Sequence, residues 1–139
     1  MQSHLELGEL EARLAIDACV AELKRRDKAA SIAVGDRHGE LIALLRMDKA
    51  SLPSGTIAAN KVFTSSRLCK PSGEVGRATK ADGWDVHYHG DPRYLGWDGG
   101  TPVFFSGQCL GSVAVSGLSG EEDLEIALLG VDAILHSLG

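Results

Sequence analysis

Hydrophobic and polar positions along the chain switch between a helical and a strand-like period, with tight turns between. Over residues 7–26, Ala12, Ile16, Cys19, Val20 and Leu23 share one face, and Glu11, Arg13, Asp17 and Lys24 take the other. That spacing predicts an amphipathic helix. Arg25, Arg26 and Lys28 close it with cations at the negative end of the helix dipole. Residues 31–35 and 40–46 read as two strands around the turn Asp36-Arg37-His38-Gly39. The second of these is almost continuously apolar, which predicts a central strand covered on both faces. A second helix is expected from a cap at Ser54 or Thr56 to about Cys69, and a third, short one opens at Pro71 and ends near residues 80–83. Residues 99–117 read as a hairpin turning at Ser106-Gly107. Ser119-Gly120-Glu121-Glu122 then forms a capping box, in which Ser119 caps the first turn and Glu122 reaches back. Leu124, Ala127, Leu128, Val131, Ile134, Leu135 and Leu138 give the last helix an apolar face.

Strands joined by tight turns, with helices before, between and after them, predict an antiparallel sheet flanked by helices, the α+β class. A length of 139 residues fits a single domain, 1–139. The net charge of -5 argues against a nucleic-acid backbone as partner. No apolar run reaches the roughly 20 residues that span a bilayer, so no membrane partner is expected. The first residues lack a basic segment followed by an apolar one, so a cytoplasmic protein is expected. The three cysteines are widely spaced and fit buried free thiols in a reducing compartment.

The candidate chemistry is concentrated in two places. Lys61 is a charged residue on a partly apolar helix face, the setting of an anion binder or of a lysine with a lowered pKa. Residues 84–98 hold four of the seven aromatic residues, Trp84, Tyr88, Tyr94 and Trp97, along with His87, His89 and Arg93. So much ring surface in a loop points to a ligand or an interface. In an extended segment His87 and His89 point to the same side, where an imidazole suits acid–base work or axial ligation of a haem iron. No complete metal-ligand spacing is present, and no metal site is expected. Gly99 and Gly100 offer backbone amides as an anion or carbonyl donor pair. Nucleotide-binding glycine motifs and a serine-hydrolase elbow are both absent.

Five short motifs occur in order. They are Arg46-Met47-Asp48; Ala59-Asn60-Lys61-Val62-Phe63-Thr64; Gly99-Gly100-Thr101-Pro102; Gly107-Gln108-Cys109-Leu110-Gly111-Ser112-Val113-Ala114-Val115-Ser116-Gly117; and Glu122-Asp123. Together they resemble the GlcG/HbpS-like family, which includes a haem-binding sensor protein of streptomycetes and the C-terminal domain of some corrinoid adenosyltransferases. The resemblance implies a five-stranded antiparallel sheet with helices on its faces, similar to profilin or PAS domains. It also implies a homo-oligomer, dimeric or larger, with pockets near subunit contacts, and haem or another tetrapyrrole among the ligands. Lys61, His87 and His89 are the candidate catalytic residues. Arg46, Asp48, Tyr88, Arg93, Tyr94, Trp97, Gly99 and Gly100 are the candidate binding residues for a small, anionic molecule. Two other roles stay open: a cofactor-independent tautomerase, hydrolase or lyase for a small oxo or hydroxy acid, and a non-catalytic assembly protein.

Overall fold

The computed structural model describes residues 1–139. Its elements run α1 (Glu9–Arg25), β1 (Ser31–Gly35), β2 (Leu41–Arg46), α2 (Ser54–Leu68), α3 (Ser72–Asp82), a single 3-10 turn (Val86–His89), β3 (Gly100–Phe105), β4 (Gln108–Ser116) and α4 (Gly120–Ser137). The class is α+β, as expected. The antiparallel sheet has four strands, in the order β2-β1-β4-β3, not the five that the resemblance implied.

Strand alternation divides the sheet into two unlike faces. Ile32 and Val34 on β1 pair with Val115 and Val113 on β4, and their side chains enter the main core with Cys19 and Leu23 of α1 and Ile126 and Ile134 of α4. The intervening positions are all small: Ser31, Ala33 and Gly35 pair with Ser116, Ala114 and Ser112. That face lets α2 sit close, with Ala58 and Val62 against Ala33 and Ala114. A side chain at Gly35 would overlap Val62. Paired serines lock the contact: Ser31 to Ser54 and Ser66 to Ser112, each at 2.7 Å. Each of these four hydroxyls thereby has a partner in a setting where an unmade hydrogen bond costs about 1–3 kcal/mol.

Several local expectations are corrected. β2 is an edge strand, with Leu41, Leu44 and Leu45 exposed, because β1 pairs with β4 on its other side. Its apolar run therefore does not mark a central position. α2 has Pro53 at its N-cap and no side-chain cap; the Ser54 hydroxyl turns back to the carbonyl of Ser51 at 2.6 Å. Only Cys19 is a buried thiol, donating to the carbonyl of Ile126 while burial pushes its pKa up to about 12. Cys69 is exposed and Cys109 half-buried. No helix is long and apolar enough to cross a membrane.

Ser119 caps α4 as expected, accepting from the amide of Glu122 at 3.2 Å. The Glu122 carboxylate does not reach back; it binds Arg26 at 3.0 Å and Lys28 at 2.6 Å, tying the start of α4 to the end of α1. Beside this clasp, hydrogen bonds from Arg25 and then Arg26 hold the Glu22 carboxyl down at about 2, from an ordinary 4.5. A depressed carboxyl stabilises the fold above its unfolded pKa and loses that contribution as pH falls through the folded one. Stability should therefore decline between pH 4.5 and about 2. Glu22→Gln is expected to flatten that slope in acid titrations of urea unfolding; an unchanged slope would show that the pairs are screened out.

Candidate functional site

Lys61 is the largest fully buried side chain in the protein. It lies in the middle of α2 and points through the small-residue face toward the end of β4 and the start of α4. Its Nζ donates to the carbonyl of Val115 at 2.9 Å and to Asp123 Oδ2 at 3.1 Å. The second Asp123 oxygen accepts from the amide of Leu118 at 3.0 Å. Asp123 and Ile126, Ala127 and Gly130 are buried residues of α4, so a carboxylate occupies a core position there.

Burial acts on both members of the pair. It pulls the Lys61 ammonium below its ordinary range, against the opposing pull of Asp123. It pushes the Asp123 carboxyl above its ordinary range, against the opposing pull of Lys61. Removal from water disfavours each charge, so both groups shift toward their neutral forms. Lys61 is therefore not a free cation awaiting an anion. It is one half of an amine–carboxyl pair that can exchange a proton across a 3.1 Å contact.

The pair lines the floor of a cleft of about 440 Å³, with Ile57, Trp97, Leu118, Ser51, Ser116 and Gly120 among its walls. Glycines seat the wall that carries Trp97 and Asp98. Gly76 of α3 meets Gly96 backbone to backbone, and a side chain at Gly73 would overlap Asp98. The Ser72 hydroxyl then clamps the loop to α3, donating to the carbonyl of Trp97 at 2.5 Å and accepting from the amide of Gly100 at 3.0 Å. Arg77 pairs with Asp98 at 3.0 Å.

Gly99 and Gly100 do not act as the expected amide pair. The Gly100 amide is taken by Ser72, and the Gly99 carbonyl accepts from Val115 in the sheet. Gly99 matters through its shape. Its φ is +130°, and a Cβ there would lie 2.5 Å from both Lys61 Nζ and the Val115 carbonyl. Only glycine leaves room for the ammonium.

The remaining candidates lie elsewhere. His87 and His89 sit in a 3-10 turn, where positions two apart diverge around the axis by about 240° instead of sharing a side. His87 Nδ1 meets Asp85 at 3.2 Å. His89 packs between Trp84, at 5.3 Å, and Tyr94, at 4.9 Å, and helps line a separate cleft of about 330 Å³ with Leu68, Lys70 and Val75. Tyr88 is exposed and stacks on Trp84 at 6.3 Å. Tyr94 is buried, packing edge-on against Phe63 at 4.9 Å with its hydroxyl on Arg67. Arg93 lies over the Phe63 ring at 3.9 Å and is paired with Asp91 and Glu40. Arg46 and Asp48 line a third cleft, of about 660 Å³, against the end of α1. Of the expected residues, the structure brings together Lys61, Trp97 and Gly99. The histidines, Tyr88, Tyr94, Arg93, Arg46 and Asp48 lie outside that cleft.

From the sequence, Asp123 carries no site role beyond the Glu122-Asp123 motif, and its place in the first turn of α4 is sufficiently explained by the helix dipole. The signal was present: Asp123 precedes Ile126, Ala127 and Gly130 by three, four and seven positions, so a charge falls on an apolar helix face, as it does at Lys61. Two such charges of opposite sign are a natural buried pair.

Known proteins place this architecture. The family model described as "Haem degrading protein HbpS-like" matches residues 7–132. Protein GlcG of Escherichia coli is 30% identical over 116 residues, covering 84% of this chain and 85% of that protein. The crystal structure of protein ORFY of Klebsiella pneumoniae superposes with a TM-score of 0.90 at 26% identity, covering 97% of this chain and 94% of that one. A double mutant of HbpS from Streptomyces reticuli gives 0.86 at 28% identity, covering 95% and 89%. The chain belongs to the HbpS-like family.

Proposed function

We propose that the protein binds a small oxo or hydroxy acid in the Lys61–Asp123 cleft and moves a proton on it. The observation that supports this most is the buried amine–carboxyl pair, whose two members are both drawn toward neutrality by burial. Such a pair offers an acid and a base within one hydrogen bond, the requirement for enolisation, tautomerisation or elimination without a cofactor. The apolar walls of Ile57, Trp97 and Leu118 suit a short carbon chain, and Ser51 and Ser116 supply polar rims. The positive end of α4 at Gly120 faces the cleft beside the Asp98 carboxylate, which Arg77 neutralises.

A second reading, haem binding, draws on the family description and on the aromatic loop. The donor set there fits the group: Asp85 Oδ1 lies 3.2 Å from His87 Nδ1, leaving Nε2 as the iron ligand in this reading, with a carboxylate beside the imidazole as metal-binding histidines often have. Trp84 and Tyr88 supply stacked ring surface, and Lys70, which lines the neighbouring cleft, is the cation for a propionate. Bound haem supplies iron redox chemistry; this chain's part is to hold its face and position one imidazole. The platform is one-sided, so we propose that a second copy of the chain covers it in a homo-oligomer.

The two tryptophans separate the readings, because Trp97 lines the Lys61 cleft and Trp84 the histidine one. In Trp84→Phe, whose fluorescence comes from Trp97 alone, pyruvate is expected to give saturable quenching. In Trp97→Phe, haemin is expected to quench Trp84 and to give a Soret band that His87→Ala removes. A flat pyruvate titration in Trp84→Phe would sink the first reading, and a non-saturating haemin response the second.

A further inference from the structure

We infer that Lys61 forms a covalent imine with the carbonyl carbon of a small α-oxo acid. This rests on the proposal that the cleft takes an oxo acid, and it goes beyond proton transfer to name the bond.

The geometry supplies each requirement of the step. Nζ makes two hydrogen bonds, to the Val115 carbonyl and to Asp123, and the second is the path by which the ammonium proton passes to the carboxylate. Lys61 nevertheless lines the cleft, together with Ile57 and Trp97. Trp97 is 63% exposed, so its ring is not packed into the core on the cleft's rim, while the backbone beside it is fixed by Ser72 and by Arg77 through Asp98. Gly99 removes the one Cβ that would stand in front of Nζ. A nucleophilic amine must be neutral, and a desolvated lysine is the usual way to provide one.

The step balances without any added oxidant or reductant. The Lys61 nitrogen lone pair attacks the carbonyl carbon, and the C=O π electrons move to oxygen. A proton passes from nitrogen to that oxygen to give the carbinolamine. Asp123, having taken the ammonium proton of Lys61 across their 3.1 Å contact, then protonates the hydroxyl, which leaves as water as the C=N bond forms. The product is a protonated imine facing an Asp123 carboxylate, so the ion pair of the resting site is kept. Asp123 is thus both the proton donor for water loss and the counter-ion of the iminium.

The alternative is that Lys61 is purely structural, a strut from α2 to β4 and α4. Reductive trapping distinguishes the two. The full-length protein is incubated with pyruvate and sodium cyanoborohydride, and the adduct is located by intact mass and peptide mapping. The chain's other lysines, Lys24, Lys28, Lys49, Lys70 and Lys80, are all exposed and serve as internal controls. A single adduct at Lys61, absent in Lys61→Arg, is expected. Asp123→Asn, a near-isosteric change, is expected to slow trapping at Lys61 by about tenfold or more without moving the site. An unmodified Lys61, or adducts spread over the exposed lysines and kept in Lys61→Arg, would overturn the inference. Saturable quenching of Trp97 by pyruvate with no trapped adduct would overturn the imine alone and leave the cleft's binding role standing.

Discussion

Lys61→Ala is expected to lower the stability of the fold by about 3–5 kcal/mol and to abolish ligand binding together with it. The stability loss comes mainly from what remains behind. Asp123 and the Val115 carbonyl stay buried and lose their donor, and an unpaired charge in the core is far costlier than a paired one. The cost should be partly recovered in Lys61→Met/Asp123→Leu, because apolar residues remove both charge-desolvation penalties at once, while the Val115 carbonyl and the Leu118 amide still lose their partners. Urea unfolding of the two single variants and the double variant checks this as a cycle. Strong non-additivity is expected; additive losses would mean that the two side chains do not act as a pair.

Gly99→Ala is the second large effect. The backbone at φ +130° is strained for any L side chain, and strain of that kind costs about 1–3 kcal/mol. A Cβ 2.5 Å from Lys61 Nζ and from the Val115 carbonyl cannot be accommodated without moving one of them. The midpoint of urea unfolding should fall by the equivalent of at least about 2 kcal/mol. Because the displaced group is the amine itself, pyruvate quenching of Trp97 should weaken as well. Gly107→Ala makes a suitable comparison: its φ is also positive, at +76°, but nothing lies within 4 Å of the added carbon. If both variants lose the same stability, the contact with Lys61 contributes nothing.

The fold was largely legible because its signals are local. Turn glycines, the Ser119 cap and the apolar period of α4 all act within a few residues. Ser106 and Gly107 turn the β3–β4 hairpin with φ of 53° and 76°, as a tight turn demands. What failed depended on neighbours distant in sequence. β2 looks central because Leu41, Ile42, Leu44 and Leu45 are apolar, yet nothing local records that β1 and β4 pair with each other and leave β2 at the edge. The fifth strand came from the family resemblance and not from any fifth strand-like segment in the chain.

The site was half legible. Lys61 stood out as a charge on an apolar face, and Trp97 as a ring in a glycine-rich loop. Asp123 carried the same signal as Lys61 but was explained by the helix dipole, a sufficient reason for any acid in a first turn. The histidines were misplaced by geometry: a parity argument holds for a strand, and Asp85 instead caps a 3-10 turn through the amide of His87 at 2.8 Å. Tyr94 and Arg93 looked like ligand contacts because Phe63, the ring they both cover, lies in another element about thirty positions away.

The most direct test of the central claim is calorimetric titration of pyruvate into the wild type and into Lys61→Met/Asp123→Leu, after circular dichroism has shown that both are folded. Saturable binding in the wild type and none in the double variant is the predicted result. Equal binding in both, or none in either, would contradict the assignment of the Lys61–Asp123 cleft as the ligand site.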